Sequence, residues 1–241
     1  MILLSLDFET TGLNTSKDEV IEMGAVLYST GQRKCLDSQG MLVQTNLPIT
    51  AEITAITNCH PIAVQKFGYD QADMFDTMVN LMDSADHIIS YNGRRFDRKI
   101  AEAWGARNNR TIPDKVWIDL YYDLPWQVPV GKLSHVAADH GILNLFPHSA
   151  LADAQTVLAI AGKYDFDLLL ARAKSPVVVL RSLADRSQND VLKQAPWKFR
   201  WNPTQKFWWK PVKEQDVDEV VKAAPFQIAI EKAWTPEELE N

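Results

Sequence analysis

Within its first nine residues the chain passes from an apolar run, Ile2-Leu3-Leu4-Ser5-Leu6, straight into two carboxylates, Asp7 and Glu9. A short apolar run of this kind reads as a buried strand. Side chains alternate along a strand, so Asp7 and Glu9 point to the same side and can share a cation. Three later stretches supply matching chemistry: Asn92-Gly93-Arg94-Arg95-Phe96-Asp97, then His148, then Asp153. Asp97 comes just inside the helix expected after a strand at residues 87–91, and Asp153 opens another helix one turn beyond His148. Together they amount to four carboxylates and one imidazole, a donor set that suits Mg²⁺ or Mn²⁺ better than zinc. Taken singly, each match has an ordinary reading: a solvated strand end, a surface histidine near a helix start, an acid favoured by the helix dipole. Taken in order and in these local settings, they point to phosphodiester hydrolysis.

The rest of the chain sets the frame. Its 241 residues allow one large domain with a small appendage, and 46% hydrophobic content is ample for a core. A formal charge of -6 argues against holding duplex nucleic acid by bulk positive charge, yet permits a site that grips a few nucleotides. Two cysteines, Cys35 and Cys59, make no disulfide framework, so a reducing bacterial or phage-infected cytoplasm is expected. No signal peptide or membrane span is read at the N-terminus. Strands are predicted at residues 2–6, 20–28, 41–45, 87–91 and 116–120. Helices are predicted at 71–83, 95–104 and 133–140, with one long helix over 150–173. This order suggests an α/β fold, a mixed central sheet with helices on its faces. His60, His87, His135 and His140 fall outside any motif and read as structural or solvent-facing.

Several of these stretches resemble the DEDDh 3′–5′ exonucleases, the DnaQ-like branch of the RNase H-like fold. Leu6 to Leu13 (LDFETTGL) resembles the first motif of that family, and Tyr91 to Asp97 (YNGRRFD) the second. His148 to Ala154 (HSALADA) resembles the third, with the histidine that marks the "h" branch. Val20 to Ala25 (VIEMGA) resembles the strand after the first motif; Thr54-Ala55-Ile56-Thr57 stands where His-Gly-Ile-Thr is common. The likeness covers roughly residues 1–172. It implies two Mg²⁺ or Mn²⁺ held by Asp7, Glu9, Asp97 and Asp153, with His148 as general base. Free histidine titrates near ~6.5, so activity is expected to rise through neutral pH. The resemblance also implies that Thr10, Thr11, Gly12 and Leu13 seat the 3′ end, Leu13 as a wedge between bases, with Asn92 and Phe96 lining the cleft. The implied reaction removes nucleoside 5′-monophosphates from the 3′ end of mainly single-stranded DNA. The alternatives are a 3′–5′ exoribonuclease of the same family and a non-catalytic nucleic-acid-binding module. The partners it implies are single-stranded 3′ ends, a polymerase or other replication or repair protein, and a second copy of the chain.

Beyond Lys174-Ser175-Pro176 the composition shifts. Five of the eight tryptophans lie in this last stretch: Trp197, Trp201, Trp208, Trp209 and Trp234. The domains are therefore expected as 1–173 for the exonuclease-like unit, 174–192 for a linker and 193–241 for a small ββα(β) module. Its hairpin would place Trp197, Phe199 and Trp201 on one face, as also Phe207 and Trp209. Lys198, Arg200, Lys206, Trp208 and Lys210 would form the other. Lys193 to Lys213 holds six basic residues and no acid. A basic face with an aromatic on it is the pattern for stacking single-stranded bases.

Overall fold

In the first strand, β1 (Ile2–Thr10), alternation sorts the residues to two faces. Leu4, Leu6 and Phe8 enter a core with Met74, Phe75, Met78, Ile100 and Trp104. Ser5 looks the other way, its hydroxyl donating to the Ala154 carbonyl, and Asp7 and Glu9 follow it on that face. The strand outlasts its apolar run, so both acids lie within it rather than at its end. The computed structural model describes residues 1–234, 238 and 239.

The chain divides into two units, residues 1–122 with 131–169, and 123–130 with 170–241. In the first, β2 (Val20–Ser29) pairs antiparallel with β1, and β3 (Lys34–Leu42) pairs antiparallel with β2. The third strand thus precedes the predicted 41–45. It is the polar sheet edge, and only its apolar tail, Met41-Leu42, carried a strand signal. Two short helices follow, α1 (Ala51–Thr57) and α2 (Pro61–Phe67), capped by Thr50 and His60. Helix α3 (Gln71–Asp83), capped by Asp70, buries Met74, Phe75, Met78 and Met82 at the predicted helical spacing. Each such buried side chain contributes about 1.5–3 kcal/mol of apolar transfer.

Next come β4 (His87–Ser90), α4 (Asp97–Arg107), β5 (Trp117–Asp119), α5 (Leu120–Asp123) and α6 (Leu133–Asp139). β4 and β5 run parallel to β1, completing a five-stranded mixed sheet in the order β3-β2-β1-β4-β5. The predicted long helix is two, α7 (Ala150–Ala161) and α8 (Phe166–Lys174). The break has a local cause: α7 ends at Gly162, and the Asp165 carboxylate accepts from the amides of Asp167 and Leu168 to start α8 anew.

In the second unit, β6 (Val177–Ser182), β7 (Arg200–Asn202), β8 (Phe207–Lys213) and β9 (Ile228–Glu231) form an antiparallel sheet ordered β7-β8-β6-β9. α9 (Asn189–Lys193) and α10 (Val217–Ala223) accompany it. Residues 174–192, expected as a linker, hold β6, an interior strand, and α9. Both faces of this sheet are covered: Leu180, Phe199 and Val212 pack on one, Val179, Phe207 and Trp209 on the other. Four buried charges brace the unit. Arg172 grips the Asp216 carboxylate at 2.6 and 2.7 Å and donates to the carbonyls of Asp123 and Leu124. Lys213 Nζ lies 2.8 Å from the Asp123 carboxylate. Residues 123–130 thereby belong to this unit although they interrupt the first. Of the expected module 193–241, residues 235–237, 240 and 241 lie outside the described residues. Among the described residues no helix is long and apolar enough to cross a membrane.

Candidate active site

Helix α7 reaches the acids of β1 because β2 leaves room for it. A Cβ on Gly24 would lie 2.1 Å from the Ala150 carbonyl carbon, so only glycine admits the helix start at this spot. That close approach brings Asp153, in the first turn of α7, and His148, just before it, up to Glu9. A carboxylate oxygen of Glu9, one of Asp153 and a ring nitrogen of His148 lie within 4.8 Å of one another, a group that can hold a metal ion. His148 takes a left-handed backbone (φ 62°) and donates its amide to Asp153 at 3.2 Å. The Asn144 side-chain amide donates to the other Asp153 oxygen.

Asp97 arrives from the opposite side, as the first residue of α4. It is buried and accepts the Phe8 amide at 3.1 Å. Its loop is held open by another close approach: a Cβ on Gly93 would meet the Ser90 hydroxyl at 2.4 Å and an Asp97 oxygen at 2.9 Å. The buried Asp119 carboxylate at the end of β5 accepts the amides of Asn92, Arg94 and Tyr121, fixing the same loop.

Electrostatically the cluster is strained. Burial pushes the Asp7 carboxyl well above the usual range, and the neighbouring charges of Asp97, Asp153, Glu9 and Glu22 push it further. Glu9 is pushed up to about 8 by burial and then by Asp153, Glu22 and Asp97. Asp97 also goes up to about 8, chiefly by burial, against the lowering effect of the Phe8 amide. Burial raises Asp153 too, offset by its bonds to Asn144 and the His148 amide. Oxygen donors that repel one another without a counter-charge suit a hard divalent cation.

The structure brings Asp7, Glu9, Asp97, His148 and Asp153 to one place at the sheet centre. The remaining predicted site residues are placed more variously. Leu13 is 87% exposed. The Thr10 hydroxyl donates to the Gly12 carbonyl, and that of Thr11 to Asp18, while the Thr11 amide donates to the Glu19 carbonyl. Thr11 therefore offers no backbone donor to a strand end. Asn92 is exposed with φ 60°, and Phe96 packs partly on the core.

Three features escaped the motif reading. Glu22, opposite Glu9 in the β1–β2 register, is a fifth carboxylate beside the four. Asp119 had no motif around it. The loop before His148 exposes Leu143, Leu145 and Phe146 at 79%, 68% and 68%. The signal for that loop was its unusual apolarity between two helices.

On the hairpin of the second unit, the expected basic face is broken up. Lys198 donates to the Val130 carbonyl. Lys210 is turned inward, donating to the Pro196 carbonyl over the Trp126 ring, and burial drops its ammonium to about 8, helped by Lys198. Arg200 sits over Trp209 on the sheet's other face, and Lys206 is an exposed turn residue with φ 57°. Trp201 pairs across the strands with Trp208, ring centroids 5.6 Å apart, and Trp208 packs in the cluster of Phe199, while Lys193 lies over Trp208. The register of β7 against β8 mixes the two expected faces, setting Trp208 beside Trp201 and Arg200 beside Trp209.

The sheet order and the acids buried at its centre define an RNase H-like nuclease domain. The chain belongs to the exonuclease family: the RNase T family model, described as "Exonuclease", matches residues 4–161. No curated protein sequence matches the chain. Among solved structures it is similar to Escherichia coli exonuclease I in complex with a dA16 oligonucleotide. The identity is 17% and the TM-score 0.61, over 75% of this chain and 48% of that one. It is similar also to the zinc-ion-bound form of the E. coli exonuclease I complex with single-stranded DNA, at 17% identity and TM-score 0.62 over the same shares. The match thus spans about half the length of those chains.

Proposed function

We propose that this protein is a divalent-cation-dependent 3′–5′ exonuclease of single-stranded DNA that releases nucleoside 5′-monophosphates. The observation that carries the reading is the convergence of the buried Asp97 and Asp153 with the half-buried Asp7 and Glu9, mutually repelling, beside the His148 ring. The DNA held by the similar E. coli exonuclease I structures favours DNA as the substrate class.

Asp7, Glu9, Asp97 and Asp153 would hold two Mg²⁺ or Mn²⁺. Cations bound there lower the pKa of water and offset charge on the attacking and leaving oxygens. His148, exposed and held by its left-handed backbone, takes the proton as the water oxygen bonds to phosphorus. The bond from phosphorus to the 3′ oxygen of the preceding nucleotide then breaks, and that oxygen takes a proton from solvent to become the new 3′ hydroxyl. Asn144 and the His148 amide hold both oxygens of Asp153, which fixes that carboxylate before substrate arrives. Leu13 and the exposed Leu143, Leu145 and Phe146 supply apolar surface for the splayed bases of a single strand. On the second unit, Trp201 and Trp208 with Lys193 form a small stacking surface for single-stranded bases.

The test is a time course on matched 5′-labelled DNA and RNA strands with Mg²⁺, Mn²⁺ or EDTA. A ladder shortening from the 3′ end of DNA, lost in EDTA and in Asp7→Ala, is expected. Intact DNA with either cation would refute the reading, and faster loss of RNA would reassign the substrate.

A further inference from the structure

Ser149 stands at the N-cap of α7, yet its side chain makes no capping bond within the helix. The first turn of a helix leaves backbone amides without internal acceptors, and here an acceptor arrives from another element. The Glu22 carboxylate on β2 accepts the Ala150 amide at 3.2 Å and the Ser149 hydroxyl at 3.3 Å. The Cys59 thiol, kept protonated because burial pushes it up to about 12, approaches the same carboxylate at 3.8 Å. Ser149 and Ala150 lie directly after His148 and within one turn of Asp153. Two positions along β2, Gly24 gives Ala150 its seat against the sheet.

Resting on the exonuclease reading, we infer that Glu22 is a positioning residue that clamps the start of α7 so that His148 and Asp153 face Glu9. The chemistry of the strand supports a clamp over a fifth cation ligand. Both Glu22 oxygens already accept from the helix start, one from the Ser149 hydroxyl and the other from the Ala150 amide, and the Cys59 thiol adds a third donor. Its backbone register opposite Glu9 fixes the distance between the β1 acids and α7. A small drift of His148 relative to the reacting phosphorus costs rate steeply, because proximity and orientation enter the barrier directly. Ground-state binding of the strand does not pass through this contact, so kcat rather than KM carries the effect.

The test compares the full-length wild type with Glu22→Ala and Glu22→Gln, using Mn²⁺ and a DNA strand at a temperature where circular dichroism shows all three folded. Glu22→Ala should lower kcat by about ten- to a hundredfold, with KM within about twofold. In metal-free protein the amides of residues 148–153 should exchange about tenfold faster. Glu22→Gln keeps a carbonyl for the Ala150 amide, so it should hold kcat within about threefold and keep slow exchange. Glu22→Met, which retains volume and loses both acceptors, replaces the alanine variant if that one does not fold. Wild-type kcat or unchanged exchange in the variant lacking an acceptor would overturn the clamp. So would a glutamine variant as impaired as the alanine one, since that would assign the effect to charge on the cations. A wild type that leaves DNA intact would defeat the exonuclease reading instead, with the exchange comparison still deciding whether the clamp exists.

Discussion

Stripping divalent cations from this protein should leave it more stable at pH 5.5 than at pH 8.5, and restoring them should remove most of the difference. Glu9 goes from the usual 4.5 to about 8, so the fold favours its protonated form. That stabilisation is complete below 4.5 and is lost as pH rises through about 8. At ~1.4 kcal/mol per pKa unit, the part of the shift lying above pH 5.5 is worth at most about 3.5 kcal/mol. Glu9 is only half-buried, and water screens this to about 2–3 kcal/mol. For a domain of this size each kcal/mol moves Tm by about 2–4 °C, so metal-free Tm should fall by roughly 5–10 °C between the two pH values. A cation at a hundred times its Kd returns ~2.7 kcal/mol. Protons compete with it for the same oxygens, so the Tm gain should be large at pH 8 and small at pH 5.5. Thermal scans with EDTA or Mn²⁺ across this range read both effects, and Glu9→Gln should flatten the metal-free fall. A metal-free Tm that does not change with pH, or equal gains at both ends, would refute the account of a self-repelling cluster.

Gly24→Ala should destabilise the protein by at least about 1–3 kcal/mol in denaturant unfolding, because its methyl has no room beside Ala150. Arg172→Met should cost about 3–5 kcal/mol by leaving the Asp216 carboxylate buried and unpaired, and adding Asp216→Leu should recover most of it. Trp201→Ala should leave Tm unchanged while weakening a twenty-nucleotide single strand by about 1–3 kcal/mol, read by fluorescence anisotropy in EDTA.

The proposed catalytic constellation was legible because its residues stand on one face of a strand and at helix starts, where a period of two or one helical turn fixes where side chains point. Asp7 and Glu9 needed only the alternation of β1. Asp97 and Asp153 needed only their places in the first turns of α4 and α7. Glu22 was legible as part of a familiar strand but not as a contact, since its partners, Ser149 and Ala150, come from residues 127 and 128 positions away. Asp119 escaped for a similar reason: its bonds run back to a loop 25 to 27 residues earlier. Strand β3 hid because an edge strand has no need of apolar residues on its outer side. The break between α7 and α8 was signalled by Gly162 and Asp165, both present in the sequence, and the Ala- and Leu-rich run around them masked it. On the hairpin, the register between β7 and β8, which the sequence does not specify, set Trp208 beside Trp201 and Arg200 beside Trp209 and so divided the expected basic face.

Residues 123–130 sit with the tryptophan-rich sheet although they are made early, inside the sequence of the nuclease unit. Asp123 emerges 49 residues before Arg172, which donates to its carbonyl, and before Lys213, which pairs with its carboxylate. Until then Trp126 and this acid have none of their final neighbours from the C-terminal stretch. A cut after residue 173 would leave them in that condition permanently, with Asp123 stripped of its cation and Trp126 of Trp197. Separating the two units cleanly therefore requires replacing the 123–130 excursion with a short bridge, as well as shortening the tail.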